Sequence, residues 1–409
     1  MKYVIIGNSA AAIGCVEGIR EVDRDGEILI ISDERHHTYS RPLISYLLMG
    51  KTDLQRMKYR PDSFYADKGC EVMLGRRATK ISPDEKTVAL EDGTLVHYDK
   101  LLVATGSRPI VPPVPGIEKV KNSTSFMYLD DAERLQSMIG PESRVMILGA
   151  GLIGLKCAEC LAGKVGKITV VDMAPRILPS ILDTEGAGIV QRHLESKGMG
   201  FILSDSAAEF TEDSAKLKSG RTVDFDVLVI AVGVRPNISL VSDCGGRVGR
   251  GIIINERCET SIPDVYSAGD CSEGFDSALG EARILAILPN AYMQGYVAGV
   301  IMAGGAALHE KAIPMNAIGL CGLHVITAGV YDGESFVRRD GENYKALFYK
   351  DNLLKGFILI GDVARAGIYT SLIREKTPLD SLDFELIKER PQLMAFARST
   401  RRALLGELR

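Results

Sequence analysis

The glycine-rich segment GAGLIG, residues 149–154, has a spacing suited to holding a diphosphate. It follows a strand-like run at 144–148 and precedes a helix-like segment, and the next strand-like run ends on Asp172. In this pattern the first glycine makes the turn, the second lets the backbone approach a pyrophosphate, and the third packs the helix against the sheet. The helix N-terminus offers N–H groups and a positive dipole to the phosphates.

The carboxylate of Asp172 selects between the two nicotinamide dinucleotides. It is placed to accept a hydrogen bond from a ribose 2′-hydroxyl and to repel a 2′-phosphate, which favours NAD(H) over NADP(H). The strand context and this acid make the motif far more specific than its glycines alone. The residues predicted to bind NAD(H) on this basis are Gly149, Gly151, Leu152, Ile153, Gly154 and Asp172.

A second loop of this kind opens the chain but departs from the glycine pattern. Gly7 follows a strand-like run, Ser9 stands where the second glycine is usual, and Ala12 stands at the packing position. Glu34 follows the next strand, where it is placed for the ribose of an adenine nucleotide. Taken alone, the loop is compatible with a nucleotide site or with a tight strand-to-helix turn.

Two strand–loop–helix–strand units in one chain form an internal repeat at the scale of a domain, and this argues for two bound dinucleotides. The Pro-rich segment RPIVPPVPG is predicted to be a hinge between them, and short strands with Gly turns begin near residue 313. We therefore predict an α/β fold with two Rossmann-like dinucleotide-binding domains and a small C-terminal α+β domain. The first dinucleotide-binding domain is predicted to comprise residues 1–112 and 239–312, the second residues 113–238, and the C-terminal domain residues 313–409. The last residues, 397–409, suggest a basic helix.

Composition excludes several classes of function. A net charge of -4 gives no electrostatic case for a nucleic-acid partner. The eight cysteines are scattered, as expected for reduced thiols in the cytoplasm, and no histidine or cysteine spacing indicates a metal site. The chain enters a strand directly after Met1, and the longest apolar stretch, 284–308, is broken by polar residues and glycines, so we expect no signal peptide and no membrane span.

Five motifs occur in an order typical of one family. They are Gly7 with Glu34, ATGSRP (104–109), GAGLIG (149–154), AVGVRPN (231–237) and YSAGD (266–270). Over about residues 1–310 the chain resembles the FAD-dependent pyridine nucleotide–disulfide oxidoreductase superfamily. The resemblance implies FAD on the first unit and NAD(H) on the second, with hydride passing from NADH to the flavin.

The resemblance also implies a set of binding residues. Arg41 and Pro42 would border the pyrophosphate and the ring, Arg108 the adenosine, and Asp270 the ribityl chain, while Gly233 would help to hold NAD(H). A helix start at residues 290–294 would line the pyrimidine edge of the flavin. The full set implied for FAD is Gly7, Ser9, Ala10, Ala12, Asp33, Glu34, Arg41, Pro42, Ala78, Ala104, Thr105, Gly106, Arg108, Gly269, Asp270, Asn290, Ala291 and Gln294.

The segment after the first acidic strand end indicates the kind of electron acceptor. Superfamily members that use thiol chemistry carry cysteine in this segment, whereas residues 37–51 of this chain contain none. These residues resemble instead the same segment of rubredoxin, ferredoxin and nitrite reductase flavoproteins. Residues 347–373 resemble the small closing domain of that subgroup. The implied partner is a small redox protein such as rubredoxin or a ferredoxin-like subunit. Two alternatives stay open: a thiol-dependent disulfide or peroxide reductase or NADH oxidase, and a flavoprotein subunit of a larger redox complex. The chain is also compatible with a homodimer.

Two positions differ together from that subgroup. Where a Lys commonly pairs with a Glu near flavin N5, this sequence has Tyr46 and Lys156. One hypothesis is that Lys156 lies near the reactive edge of the flavin, opposite Tyr46, and favours the reduced, anionic ring by Coulomb attraction. The alternative is a solvated helix lysine. The neighbouring Cys157 and Cys160 are interpreted as packing residues of the same helix.

Overall fold

The structure, a computed structural model, describes residues 1–398 and 401–402, so most of the predicted C-terminal helix, including Arg409, lies outside the described residues. The helices are α1 (Ala10–Val22), α2 (Ile44–Leu48), α3 (Phe64–Asp67), α4 (Leu129–Met138), α5 (Leu152–Leu161), α6 (Thr184–Glu195), α7 (Ser239–Ser242), α8 (Leu288–Met302), α9 (Ala366–Arg374) and α10 (Phe384–Glu389). The strands are β1 (Lys2–Ile6), β2 (Glu27–Ser32), β3 (Cys70–Leu74), β4 (Ala78–Ser82), β5 (Thr87–Leu90), β6 (Leu95–His97), β7 (Lys100–Val103), β8 (Ser107–Pro109), β9 (Ser123–Thr124), β10 (Arg144–Leu148), β11 (Lys167–Val171), β12 (Met199–Ile202), β13 (Ala207–Phe210), β14 (Ser214–Leu217), β15 (Thr222–Asp224), β16 (Val227–Ile230), β17 (Val234–Pro236), β18 (Ile252–Ile253), β19 (Val265–Ser267), β20 (Ser272–Asp276), β21 (Glu281–Arg283), β22 (Met315–Leu320), β23 (Leu323–Gly329), β24 (Glu334–Asp340), β25 (Asn343–Lys350) and β26 (Leu353–Ile360).

Two parallel sheets carry the two glycine loops. Their strand orders are β19-β7-β1-β2-β3 and β12-β11-β10-β16-β9. In each sheet the loop leaves a central strand, β1 or β10, whose neighbours on either side are later in the chain. Ligands of open α/β sheets bind at such a switch in strand order, outside the carboxyl ends of the strands. The apolar runs of β1 and β10 are buried, as the central strands of parallel sheets are.

Helices α1 and α8 are packed so closely that their glycines are required. A Cβ atom on Gly295 or Gly299 would overlap the carbonyl oxygen of Ala11 or Cys15 on α1, and Gly14 and Gly18 of α1 face the backbone of α8 in the same way. Small residues spaced by four on both helices allow this close approach of the two backbones. This contact joins residues of the first predicted segment, 1–112, to residues of its predicted return, 239–312.

The chain divides into two compact units. The first comprises residues 1–175, 198–275 and 282–310, and contains both parallel sheets. The second comprises residues 176–197, 276–281 and those from 311 onward, and its sheet is antiparallel in the order β22-β23-β26-β25-β24. In that second unit α9 packs on the sheet, with Tyr369 and Phe357 fully buried.

The predicted fold class is confirmed, with two Rossmann-like parallel sheets and a small C-terminal sheet domain. The residue bounds predicted for the three domains follow a different division from the two compact units, and those bounds stay a prediction. Among the described residues, no helix is both long enough and apolar enough to cross a membrane.

Candidate cofactor-binding site

A cavity of about 540 Å³ opens at the carboxyl ends of β1, β2 and β7. Most of the residues predicted to bind FAD line it: Gly7, Ser9, Ala10, Asp33, Glu34, Arg41, Ala78, Ala104, Thr105, Gly106, Arg108, Gly269, Asp270 and Ala291. The predicted residues that do not line it are Ala12, Pro42, Asn290 and Gln294. The residues that the resemblance implied therefore come from several separate segments that the fold brings to one cavity.

The first loop keeps the geometry of a nucleotide-binding turn although it has a serine where glycine is usual. Gly7 has a φ of 120°, and a Cβ atom there would overlap the backbone carbonyl of Ala104. Ser9 caps α1 with an extended φ of -118° and makes no side-chain cap hydrogen bond. Its hydroxyl is thus not used by the helix, and Ser9 lines the cavity. Ala12 is fully buried beneath the loop, consistent with a packing role.

Asp270, predicted to bind the ribityl chain of FAD, lies on the cavity wall. Its carboxyl lines the cavity, and burial raises its pKa, opposed by the nearby Arg41 guanidinium. The loop that carries it is held from behind, because the backbone N–H of Gly269 donates to Oε1 of Gln294 at 2.9 Å. Gln294 therefore positions the loop, and Asn290 donates to the carbonyl of Leu285 at 3.0 Å. Direct contacts of these two amides with FAD stay a prediction.

Sequence reasoning missed fifteen of the residues that line this cavity, and among them are Met127 and Tyr128, which precede α4. The hydroxyl of Tyr128 donates to the carbonyl of Ser107 at 3.1 Å. Its ring lies near Arg41, whose guanidinium also forms an ion pair with Glu34. No local pattern marks these residues, because they come from a segment distant in sequence from the glycine loop.

The second glycine loop has the geometry that its spacing predicts. Gly149 has a φ of 108°, and a Cβ atom there would overlap the carbonyl of Ala231, whereas a Cβ atom on Gly151 would meet open space. A Cβ atom on Gly154 would overlap the carbonyl of Gly149, so the third glycine packs the helix against the turn. The open side of the loop at Gly151 is where a phosphate can approach the backbone.

The carboxylate of Asp172 is fixed by backbone donors at the end of β11. Its Oδ2 accepts from the N–H of Ala150 at 2.6 Å, and its Oδ1 accepts from the N–H of Ala174 at 2.7 Å. These bonds tie the acid to the glycine loop and orient both oxygens. Gly233, predicted to contact NAD(H), has a φ of 123° in the loop that leads to β17.

The chain links the two sheets through a pair of short strands, β8 and β17. They are antiparallel, and Asn237 exchanges hydrogen bonds with Thr105 at 2.8 and 2.9 Å. Arg108 donates to Oδ1 of Asn237 at 2.7 Å. Thr105 and Arg108 line the cavity, so the crossing between the two sheets forms one of its walls.

Lys156 and Tyr46 are brought together, as their joint departure from the subgroup suggested. The ammonium of Lys156 lies 5.0 Å from the ring centroid of Tyr46, within the range of a cation–π interaction. It also forms an ion pair with Glu159, one turn further along α5, which sequence reasoning missed. Neither Lys156 nor Tyr46 lines the cavity.

The cysteines of α5 have the environment of packing residues. Cys157 and Cys160 are both buried, and the thiol of Cys160 donates to the carbonyl of Cys157 at 3.0 Å. Burial raises the pKa of the Cys157 thiol, which disfavours the reactive thiolate. Across residues 1–398 and 401–402, no group of three histidine, cysteine or acidic side chains is arranged to hold a metal ion.

The residues of the cavity fit FAD. The loop at Gly7 leaves no room for a Cβ atom, and its backbone lines the cavity. The same cavity contains an acid that can bind hydroxyl groups, Asp270, and two arginines that can bind a diphosphate, Arg41 and Arg108. The second loop fits a nicotinamide dinucleotide through its open backbone at Gly151 and the fixed carboxylate of Asp172. The fold and site thus define a two-dinucleotide flavoprotein.

Comparison with known proteins identifies the family. A model described as pyridine nucleotide–disulphide oxidoreductase matches residues 1–295, and one described as the rubredoxin NAD+ reductase C-terminal domain matches residues 314–377. The chain belongs to the pyridine nucleotide–disulphide oxidoreductase family. It is an FAD-dependent NADH oxidoreductase of the ferredoxin and rubredoxin reductase type, which confirms the predicted cofactors, FAD and NAD(H).

Individual relatives match over most of this chain. The NADH-dependent phenylglyoxylate dehydrogenase subunit epsilon of Aromatoleum evansii is 32% identical over 396 residues, covering 93% of each chain. The NAD(P)H nitrite reductase of Bacillus subtilis (strain 168) is 29% identical over 391 residues, 92% of this chain and 48% of that protein. A covalent putidaredoxin reductase–putidaredoxin complex shares the fold, with a TM-score of 0.89 at 22% identity over 100% of this chain and 99% of that chain.

Proposed function

We propose that the protein passes electrons from NADH through FAD to a small iron or iron–sulfur carrier of the rubredoxin or ferredoxin type, with no redox cysteine pair in the path. The observation that carries this proposal is the chemistry of the cavity wall, which contains no cysteine among the described residues. The match of residues 314–377 to a rubredoxin reductase domain supports the acceptor class. The cysteine-free segment 37–51 supports direct transfer.

The chain's own part in this reaction is binding and orientation. When bound, FAD supplies the exchange between two-electron and one-electron transfer. The loop at Gly7 and Ser9 would hold its diphosphate, Asp270 its hydroxyl chain, and the loop at Gly151 with Asp172 would hold NADH. Positioning two reactants in this way lowers the entropic part of the barrier. Because the thiols of Cys157, Cys15 and Cys258 have pKa values raised by burial, none of the three favours a thiolate.

The acceptor is tested by the purified protein's reductase activity. We expect a flavin spectrum that NADH bleaches and NADPH hardly affects, and NADH-dependent reduction of rubredoxin or a small ferredoxin. Parallel assays with disulfides and with peroxide are expected to give no more than background. Reduction of a disulfide or a peroxide at a rate above that of the iron proteins would favour the thiol-dependent alternative.

Replacing the cysteines one at a time by alanine tests the absence of a thiol relay. We expect each variant, including C157A and C160A, to keep NADH-dependent carrier reduction within about twofold of the unmodified rate, because direct transfer from flavin uses no sulfur. Stability is measured alongside, since removing a buried thiol leaves a small cavity. A single variant that folds, retains flavin and loses turnover would show that the electron path contains sulfur.

We further propose that Lys156 lies near the reactive edge of the flavin and favours its reduced, anionic state. The structure places the oppositely charged Glu159 beside it, so removing each charge is expected to shift the flavin midpoint potential in opposite directions. We expect Lys156→Gln to make the flavin midpoint potential more negative by roughly 30 mV, about 1.4 kcal/mol for two electrons, and Glu159→Gln to make it more positive. Potentials unchanged in both variants would support the solvated-lysine alternative.

A second candidate function is that of a flavoprotein subunit in a larger redox complex. It is favoured by the relative from Aromatoleum evansii, which is named as a subunit and matches over 93% of its length. Affinity purification of the tagged protein from its native cell, followed by size-exclusion chromatography, tests this. Stoichiometric co-purification of an iron–sulfur protein would support a complex, whereas an active single chain or homodimer would support a free reductase. We place either form in the cytoplasm, since the scattered cysteines suit a reducing compartment.

A further inference from the structure

Two tyrosine rings lie against the guanidinium of Arg41 at the wall of the cavity. Its Cζ atom is 5.5 Å from the ring centroid of Tyr39 and 5.1 Å from that of Tyr128. A guanidinium within about 6 Å of a ring face is attracted by the ring quadrupole. The side chain of Arg41 is 27% exposed, and it lies on the cavity wall together with Tyr128.

Each ring has a hydrogen-bond partner other than Arg41, although the Tyr39 hydroxyl also accepts from Nη1 of Arg41 at 3.4 Å. The hydroxyl of Tyr39 donates to Oε2 of Glu34 at 2.6 Å and accepts from the N–H of Leu129 at 3.1 Å. The hydroxyl of Tyr128 donates to the carbonyl of Ser107. Burial raises the pKa of both phenols, so both remain donors over the whole physiological range. Each tyrosine hydroxyl thus has at least one hydrogen bond that does not involve Arg41.

Glu34 and Arg41 are paired with each other in this structure. Arg41 forms an ion pair with Glu34, and that contact raises the pKa of the guanidinium although burial opposes it. Both residues are nevertheless predicted to serve FAD, Glu34 at the adenosine ribose and Arg41 at the pyrophosphate. A guanidinium has five N–H donors, and the donor that Arg41 gives to Glu34, on Nη2, can reach a phosphate only by leaving the carboxylate.

We propose that the rings of Tyr39 and Tyr128 form an aromatic slot that holds the guanidinium of Arg41 toward the FAD diphosphate. The slot keeps Arg41 in position while its hydrogen bond to Glu34 is replaced by one to phosphate. The Tyr39 hydroxyl then keeps Glu34 in place for the adenosine ribose. The inference rests on FAD binding in this cavity and is independent of which acceptor is reduced. Its chemical basis is that a ring face attracts the guanidinium without using its N–H donors, which holds fully for Tyr128, whereas the Tyr39 hydroxyl also accepts from Nη1 of Arg41 at 3.4 Å. Tyr128 is thus a positioning residue that acts through Arg41.

The test measures release of FAD from the purified holoprotein, followed by the return of flavin fluorescence. The variants are Arg41→Met, Tyr128→Leu, Tyr128→Phe and the combination of Arg41→Met with Tyr128→Leu. The phenylalanine variant keeps the ring face and loses only the hydrogen bond to Ser107, so it is the matched control. Tyr128→Met fills the same space without a ring and replaces the leucine variant if that protein does not fold.

We expect FAD release about tenfold faster in Tyr128→Leu and within about twofold of the unmodified rate in Tyr128→Phe. In the Arg41→Met background the leucine change is expected to have no further effect, because residues that act through one another are non-additive. A merely structural tyrosine would add its effect in both backgrounds. Additive losses, or an unchanged release rate in Tyr128→Leu, would overturn the proposal.

Tyr39→Phe separates the two parts of the slot. It keeps the ring face for Arg41 and removes the hydroxyl, which donates to Glu34 and accepts from Arg41 and from the N–H of Leu129. We expect faster release of FAD and a loss of ADP affinity in the apoprotein by the same factor, since both ligands carry the adenosine ribose. Release of FAD at the unmodified rate in Tyr39→Phe would remove the role of the hydroxyl in holding Glu34.

Discussion

Gly295→Ala is expected to destabilise the protein by about 2–3 kcal/mol, although alanine is the better helix former. The added Cβ atom would overlap the carbonyl oxygen of Ala11 on the neighbouring helix, and backbone atoms cannot yield as a flexible side chain can. To accommodate it, α8 must move away from α1. Thermal unfolding followed by circular dichroism is expected to show a fall in Tm of roughly 4 °C or more.

The same change is expected to weaken flavin retention. α1 begins at the loop that contains Ser9, and α8 carries Ala291, which also lines the cavity. Separation of the two helices therefore widens the cradle from both sides. The flavin content of purified Gly295→Ala, measured by absorbance, is expected to be clearly below that of the unmodified protein.

Gly367→Ala is the matched control. Gly367 lies in α9, and a Cβ atom there meets nothing within 4 Å. The same chemical change is thus expected to leave stability unchanged or to raise it by about 0.5 kcal/mol through helix propensity. Equal Tm values for the two variants would contradict the close-contact explanation.

The glycine loops could be predicted from sequence because their signal is local. Six consecutive residues determine the turn, the approach of the backbone to a phosphate and the packing of the helix. The position of the acid at the end of the next strand follows from the length of one strand–helix–strand unit. The positive φ values of Gly7 and Gly149 agree with that reasoning. The two-sheet fold could be predicted from the repetition of the unit, since parallel strands require crossover helices.

Contacts between distant segments could not be predicted in this way. Tyr128 reaches the cavity only because the chain turns back after β8, and nothing in its neighbours marks it as a cavity residue. The spacing of Gly295 and Gly299 signals a close helix contact, but it does not specify the partner helix. Glu159 is a different case, because it lies three residues after Lys156 on α5 and the i,i+3 spacing of a helix could have indicated this ion pair from sequence.

Asp172→Asn is expected to lower the preference for NADH over NADPH at least tenfold, measured as the ratio of the two kcat/KM values. The carboxylate is held by the N–H groups of Ala150 and Ala174, so its negative charge stays at the edge of the glycine loop. From that position we expect it to accept a hydrogen bond from a ribose hydroxyl and to repel a 2′-phosphate. Asparagine keeps one acceptor oxygen and removes the charge, which weakens NADH binding and abolishes the repulsion.

The change should appear in KM more than in kcat, because the ribose is remote from the transferred hydride and contributes similar binding before and during the reaction. Hydrogen bonds to a charged group contribute about 1.5–3 kcal/mol, so a rise in KM for NADH of roughly tenfold or more is expected. FAD content is expected to stay normal, because Asp172 lies on the second loop and does not line the FAD cavity.

Asp224→Asn provides the comparison, since Asp224 is an exposed acid at the end of β15, 3.8 Å from Arg144 and outside the glycine loop. Its NADH to NADPH ratio is expected to match that of the unmodified protein. If Asp172→Asn binds FAD normally and keeps the original ratio, the acid does not select the dinucleotide. The two backbone bonds of Asp172 would then have only the structural role of tying β11 to the loop, and nucleotide selectivity would have to come from other residues of the NAD(H) site.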